Sequence, residues 1–195
     1  MKIFDIWDTQ EVKVEDPGLK RYIVLNSRLV PKSRGRERER FAKAKVNLIE
    51  RLINKLQVPG HRGKKHKIQT KSTGKFDTRA KNVINAFKII EKKTKQNPIA
   101  ILVKAIENAA YTDETTTIEY GGARYLQAVD TSPLRRLNTC LRNLVHGAYD
   151  KAFKKKINIS QALATEILAA YEKDKSKSFA LAKKIEMERQ ADAAR

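Results

Sequence analysis

The chain has 195 residues, 41% of them hydrophobic, which is enough for one domain with an apolar core. Lys and Arg number 42 against 22 Asp and Glu, so the net charge at pH 7 is +20 and the favoured partner is a polyanion. An anionic membrane surface is a weaker alternative, because no apolar run is long enough to span a bilayer. The amino terminus lacks the pattern of a secretory signal, so we expect a cytoplasmic protein.

The first 31 residues have mixed character. An apolar cluster at 3–7 and an apolar run at 22–25 flank a Pro-Gly turn at 17–18. The run at 22–25 is compatible with a short strand or with an anchoring segment. We predict that residues 1–31 pack on the surface of the main domain.

Two basic stretches follow, at 32–45 and at 61–75. Between Lys32 and Lys95 there are 21 Lys and Arg against 5 Asp and Glu, so most of the net charge lies in one third of the chain. Arginine suits phosphate geometry, which favours nucleic-acid contact over a merely solvated face. The predicted phosphate contacts here are Arg34, Arg36, Arg38, Arg40, Lys64, Lys65, Lys67, Lys71 and Lys75. His61 and His66 lack a convincing third ligand, so we predict neither a metal nor a cofactor.

Apolar residues recur at helical spacing through most of the remaining chain. The predicted helices cover 46–57, 78–95 and 98–109, begin at Ser132-Pro133 and at Ser160, and follow the polar break at 173–177. In the first of them, Arg51 and Lys55 lie outside the apolar stripe and are expected on the outer face. Cys140 falls within a helix pattern and is interpreted as a buried apolar residue rather than a nucleophile.

The only clear strand pair lies between the third and fourth helices. Runs rich in β-branched and aromatic residues at 115–120 and 123–129 flank Gly121-Gly122, which predicts a hairpin with a two-residue loop. This register pairs Ile118 with Tyr125, and Glu119 with Arg124. Tyr120 and Tyr125 are candidates for base stacking, although cross-strand packing explains them equally well.

Arg135 and Arg136 follow in the first turn of the next helix. The helix dipole disfavours cations there, so the two arginines either bind an external anion or are tolerated because the turn is exposed. With Arg124, they are predicted to hold RNA against the base of the hairpin. No phosphate-binding glycine loop, Cys-x-x-Cys pair or serine nucleophile motif occurs, so we predict no enzymatic activity. The nearby acids are interpreted as solvated side chains; they are Glu107, Asp113, Glu114 and Glu119.

Several of these segments resemble a known family. The stretches 88–98, 105–108, 120–127 (Tyr-Gly-Gly-Ala-Arg-Tyr-Leu-Gln) and 132–136 (Ser-Pro-Leu-Arg-Arg) closely resemble small-subunit ribosomal protein seven. The resemblance runs from about Val46 to the carboxyl terminus, and the long amino terminus is similar to the archaeal and eukaryotic branch. It implies a mainly α fold, with one domain of about six helices, a protruding β-hairpin at 114–130 and a basic amino-terminal extension at 1–45.

The resemblance also implies a function. It implies a primary binder of the 3′ major domain of small-subunit rRNA that nucleates assembly of the subunit head. The hairpin and last helix would then lie near exit-site tRNA and the mRNA exit channel, among neighbouring head proteins. From the residues alone, an architectural DNA-binding protein remains an alternative. An RNA-modifying enzyme would need a cofactor pocket built from residues distant in sequence.

Overall fold

In the computed structural model, which describes residues 2–33, 35, 38–60 and 75–195, the chain is mainly α-helical. The helices are α1 (Pro17–Lys20), α2 (Leu48–Gln57), α3 (Phe76–Thr94), α4 (Pro98–Ala109), α5 (Pro133–Ala152), α6 (Ile159–Tyr171) and α7 (Phe179–Asp192), with a 3-10 helix at Ala42–Lys45. The strands are β1 (Asp113–Tyr120) and β2 (Ala123–Asp130). The predicted fold class is therefore confirmed. Within the described residues, none of the helices combines the length and apolar content needed to cross a bilayer.

Most helix starts follow the capping residues in the sequence. The side chains of Asn47, Asn97 and Ser178 accept hydrogen bonds from the first turns of α2, α4 and α7. The predicted cap at Ser160 is wrong: the capping residue of α6 is Asn158, two residues earlier, which forms a capping box with Gln161. Ser160 lies inside the first turn and is buried.

The helices enclose one core, and the amino-terminal segment contributes to it. Ile3, Trp7, Leu19 and Ile23 are buried in the same cluster as the side chains of α2–α7. The edge of the Trp7 ring meets Phe87 of α3, with 5.5 Å between the ring centroids. The 17–18 turn forms the start of α1, and 22–25 is an anchoring segment rather than a strand. The division of the chain at residue 45 remains a prediction.

The expectation that Arg51 lies on the outer face of α2 is wrong. Its side chain is buried, with Nη1 donating to the Tyr22 carbonyl oxygen at 3.2 Å and Nη2 to Asn138 Oδ1 at 3.0 Å. This burial lowers the pKa of Arg51 to about 10. The reason is tertiary: the segment around Tyr22 covers the polar side of α2, which helical periodicity within α2 does not reveal.

The hairpin has the predicted register. Ile118 pairs with Tyr125 and Glu119 with Arg124, while Gly121 and Gly122 have φ of 57° and 81°. Its base lies against the end of α7, where Ala128 N donates to the Ala194 carbonyl oxygen at 3.3 Å. The residues near the loop are exposed, so the hairpin projects from the helical body.

Candidate nucleic-acid interface

A groove of about 700 Å³ lies between residues 21–26, residues 40–45 and the start of α5. Its walls carry the cations Arg21, Arg40 and Lys45 together with the ring of Phe41, and none of the described residues that line it is acidic. Two smaller depressions extend this surface. The first shares Ser132 and Leu134 with the groove, and the second shares Lys55 with the first. We call the combined surface the basic groove. Besides the buried Arg51, its cations are Arg21, Arg40, Lys43, Lys45, Lys55, Arg135 and Arg142.

The cations of the basic groove are crowded. The pKa of Lys55 is lowered first by burial, and then by the positive charges of Lys43, Arg142 and Arg51. The pKa of Lys43 is also lowered, first by burial and then by Arg51. In the part of the chain that the structure describes, neither lysine has a carboxylate partner. An anion entering the groove would therefore relieve repulsion already present in the folded protein.

The predicted phosphate contacts of the basic stretches divide into two groups. Arg40 lines the groove, and Arg38 and Lys75 are exposed elsewhere. The others lie outside the described residues: Arg34, Arg36, Lys64, Lys65, Lys67 and Lys71, together with the two histidines of that loop, His61 and His66.

The arginines near the hairpin base differ from one another. Arg135 is 62% exposed and forms an ion pair with Glu114 at 2.7 Å; this hydrogen bond, with the negative charge, raises the pKa of Arg135. Arg136 is only 12% exposed, and its Nη2 lies 2.8 Å from Asp16 Oδ2. Its Nε also donates to the Tyr111 carbonyl oxygen at 3.2 Å. Both cations at the helix start therefore have an acid supplied by the chain, and Arg136 is not at the surface.

Three of the acids interpreted as solvated are partners in such contacts. Glu107 is mostly buried and accepts hydrogen bonds from the backbone N–H groups of Glu15 at 2.7 Å and Asp16 at 3.0 Å. Glu114 pairs with Arg135, and Asp113 pairs with Arg195 at 2.9 Å. The solvated interpretation is wrong for these three, because segments distant in sequence supply their partners. Glu119 remains exposed beside Arg124, with 3.5 Å between the charged atoms.

Tyr120 and Tyr125 lie near the end of the hairpin. Both rings are mostly exposed, and with Ile118 they share one face of the two-stranded sheet. Cross-strand packing therefore leaves most of their aromatic surface accessible. Base stacking by these rings remains a prediction.

The sequence analysis did not identify most of the groove cations. Arg135 and Arg142 are seven residues apart on α5, a spacing that places them on one side of the helix. A second missed set shares one face of α3 at helical spacing and has no ion pair among the described residues: Lys81, Lys88 and Lys92. Helical spacing would have revealed both sets, but only the folded chain brings Arg21 and Lys45 to the start of α5.

The side chains that could bind a metal or act as nucleophiles are packed within the fold or lie far from one another. His146 Nε2 lies 2.7 Å from the Pro59 carbonyl oxygen, and burial raises the pKa of the Cys140 thiol to about 12. Within the ranges that the structure describes, no three His, Cys, Asp or Glu side chains converge as metal ligands would.

A helical body, a projecting hairpin and a cationic groove together define a basic binding protein. Residues 19–195 match the family described as Ribosomal protein S7p/S5e, so the chain belongs to that family of ribosomal proteins. The chain is 52% identical to the "small ribosomal subunit protein uS7" of Nanoarchaeum equitans, over the whole chain and 99% of the relative. The proteins of that name from Methanothermobacter thermautotrophicus and Methanococcus aeolicus are 48% and 45% identical, with 98% or more of both chains aligned. The resemblance inferred from the sequence motifs is confirmed.

Proposed function

We propose that this protein is a structural component of the small ribosomal subunit that binds the 3′ major domain of its rRNA. In this proposal it nucleates assembly of the subunit head in the cytoplasm, beside other head proteins. Its hairpin and α7 lie near exit-site tRNA and the mRNA exit channel. Family membership and the names of the full-length relatives support the ribosomal assignment. The basic groove, whose described lining residues include no acid, is the observation that carries the RNA-binding role.

The groove would bind RNA through the phosphates of the RNA backbone. Each phosphate neutralised by Lys or Arg releases counterions, so the slope of log affinity against log salt changes by about 0.7–0.9 per contact. The lysine face of α3 adds a second cationic surface. Lys81 and Lys92 are 11 positions apart, which at the helical rise corresponds to about 16 Å. Two such surfaces suit a folded RNA better than a short linear segment.

The hairpin would act as an arm held at its base. The carboxyl-terminal residues attach it to the body through the Ala194–Ala128 hydrogen bond and the Arg195–Asp113 ion pair. From base to loop, each eight-residue strand spans about 25 Å. Because the arm is anchored to α7, the hairpin and α7 would lie next to the same parts of the subunit.

The first test measures binding to a transcribed 3′ major domain over a range of salt concentrations. Replacing Arg40, Lys45 and Arg142 by Gln should weaken binding and reduce the salt slope by about 2–3. The matched control replaces three exposed lysines away from the groove by Gln: Lys13, Lys173 and Lys175. The control should bind nearly as the unmodified protein does. Equal losses in the two triple variants would contradict a directed interface.

The second test separates RNA from DNA as the partner. The protein should co-sediment with small ribosomal subunits, be released by RNase and resist DNase. Crosslinks from Arg124 and Arg135 should map to rRNA near the hairpin base. Equal affinity for random duplex DNA in competition would support the architectural DNA-binding alternative instead.

A further inference from the structure

Phe41 has an unusual position for a large apolar side chain. It is 67% exposed, and its backbone has φ of 63°, in the left-handed region that bulky residues rarely adopt. The backbone on either side is fixed by local contacts. Ala44 N donates to the Phe41 carbonyl oxygen at 2.9 Å, and the adjacent Ala42 is buried. The chain therefore directs the ring away from the core and into the wall of the basic groove.

A cation accompanies the ring. The guanidinium carbon of Arg40 lies 5.0 Å from the centroid of the Phe41 ring, a cation–π distance. Arg40 thus covers part of the aromatic surface, while most of the ring remains accessible. Arg21 and Lys45 line the same groove. Lys45 forms an exposed ion pair with Glu39, with 3.5 Å between the charged atoms.

We propose that Phe41 and Arg40 form a stacking platform for one unpaired RNA base, an inference that rests on the RNA-binding role proposed above. The base stacks on the accessible part of the ring, and Arg21 and Lys45 bind the phosphates on either side of it. Ser132 lines the groove as well, and its hydroxyl makes no capping hydrogen bond to α5. That hydroxyl is in a position to pair with the edge of the base.

The chemistry of the groove favours an unpaired nucleotide over two other occupants. In a duplex the faces of the bases are already stacked, so a duplex would leave the Phe41 ring without a partner. A protein segment could also pack on the apolar residues of the groove, but it would need acidic side chains to meet Arg21, Arg40 and Lys45, whereas RNA carries a phosphate at every nucleotide. Aromatic rings beside phosphate-binding cations are the usual means of holding single-stranded RNA.

The test compares variants at position 41 in binding to the transcribed 3′ major domain. Phe41→Ala should bind about 5- to 100-fold more weakly, the range expected for loss of one base–aromatic stack. Phe41→Trp should retain or improve affinity, because indole preserves the stacking face. Leu29→Ala, at another exposed apolar residue outside the groove, is the matched control and should bind as the unmodified protein does.

Two further readouts separate a ligand contact from a structural role. Phe41→Ala should leave the melting temperature unchanged, because the ring is mostly exposed, and should leave the salt slope unchanged, because no charge is removed. A benzoylphenylalanine at position 41 should crosslink in assembled subunits to an rRNA nucleotide whose base is unpaired.

The outcomes distinguish the two proposals. If the unmodified protein binds the rRNA fragment and Phe41→Ala binds equally well, the stacking platform is wrong and the proposed function stands. A crosslink to a neighbouring protein or to paired rRNA would also overturn the platform. If the unmodified protein does not bind the fragment, both proposals fail.

Discussion

The neighbouring residues Arg135 and Arg136 allow a sharp test, because the structure gives them different roles. Arg136 is nearly buried and joins α5 to the amino-terminal segment through Asp16, and to the chain before the hairpin through the Tyr111 carbonyl oxygen. Arg135 is mostly exposed beside Glu114. Replacing each by Gln removes the same charge from adjacent positions. We expect Arg136→Gln to reduce stability and Arg135→Gln to reduce RNA affinity.

The magnitudes follow from burial. Breaking a fully buried ion pair costs about 3–5 kcal/mol, and partial exposure of Arg136 and Asp16 lowers this to about 2–3 kcal/mol. For a chain of this length that is a fall in Tm of about 5–10 °C. The exposed Arg135 pair contributes under about 1 kcal/mol. Loss of one phosphate contact by Arg135 should reduce the salt slope by about 0.7–0.9.

Thermal and denaturant unfolding, followed by circular dichroism, gives the stability, and filter binding over a salt series gives the slope. Asp16→Asn leaves Arg136 in place but removes its partner, so it should lower Tm by a similar amount. The loss of stability caused by Asp16→Asn should not add to the loss caused by Arg136→Gln in the double variant. If Arg136→Gln melted as the unmodified protein does while binding RNA more weakly, Arg136 would have to reach the RNA, and the structural role argued here would be wrong.

Three further predictions concern stability, protonation and accessibility. Gly147→Ala should cost about 2–4 kcal/mol in denaturant unfolding, because its Cβ would lie 2.6 Å from the buried Glu166 carboxyl carbon; unchanged stability would refute this packing. RNA phosphates should raise the depressed pKa of Lys55, so binding should take up protons just below pH 10.5 and weaken as pH rises through that range. Calorimetry in buffers of different ionisation enthalpy measures this uptake, and Lys55→Gln should reduce it. Cys140 is buried with a raised thiol pKa, so iodoacetamide should react with it only at the rate of unfolding; rapid labelling of the native protein would contradict its burial.

The errors of the sequence interpretation have a common origin. Arg51, Arg136 and Glu107 were all assigned to the surface, and all three are covered by residues 15–24 of the amino-terminal segment. Within their own helices these three residues occupy ordinary polar positions. Helical periodicity reports only which side of a helix is apolar. It does not report which polar side another segment will cover. A buried cation or anion is tolerated only with a partner, and the partners named above lie 25 to 120 positions away in sequence.

The sequence by itself determined the features that depend on neighbouring residues. Helix spacing, the cap at Asn97, the Gly-Gly hairpin and its register all follow from local backbone chemistry, and the family motifs are contiguous strings. Only the tertiary structure decided which cations form a surface. Arg21, Lys45 and Arg142 come from three distant segments, and they form one groove because the core buries the apolar faces of those segments against each other. Charge alone predicts a polyanionic partner, but the position of the charges depends on how the chain packs.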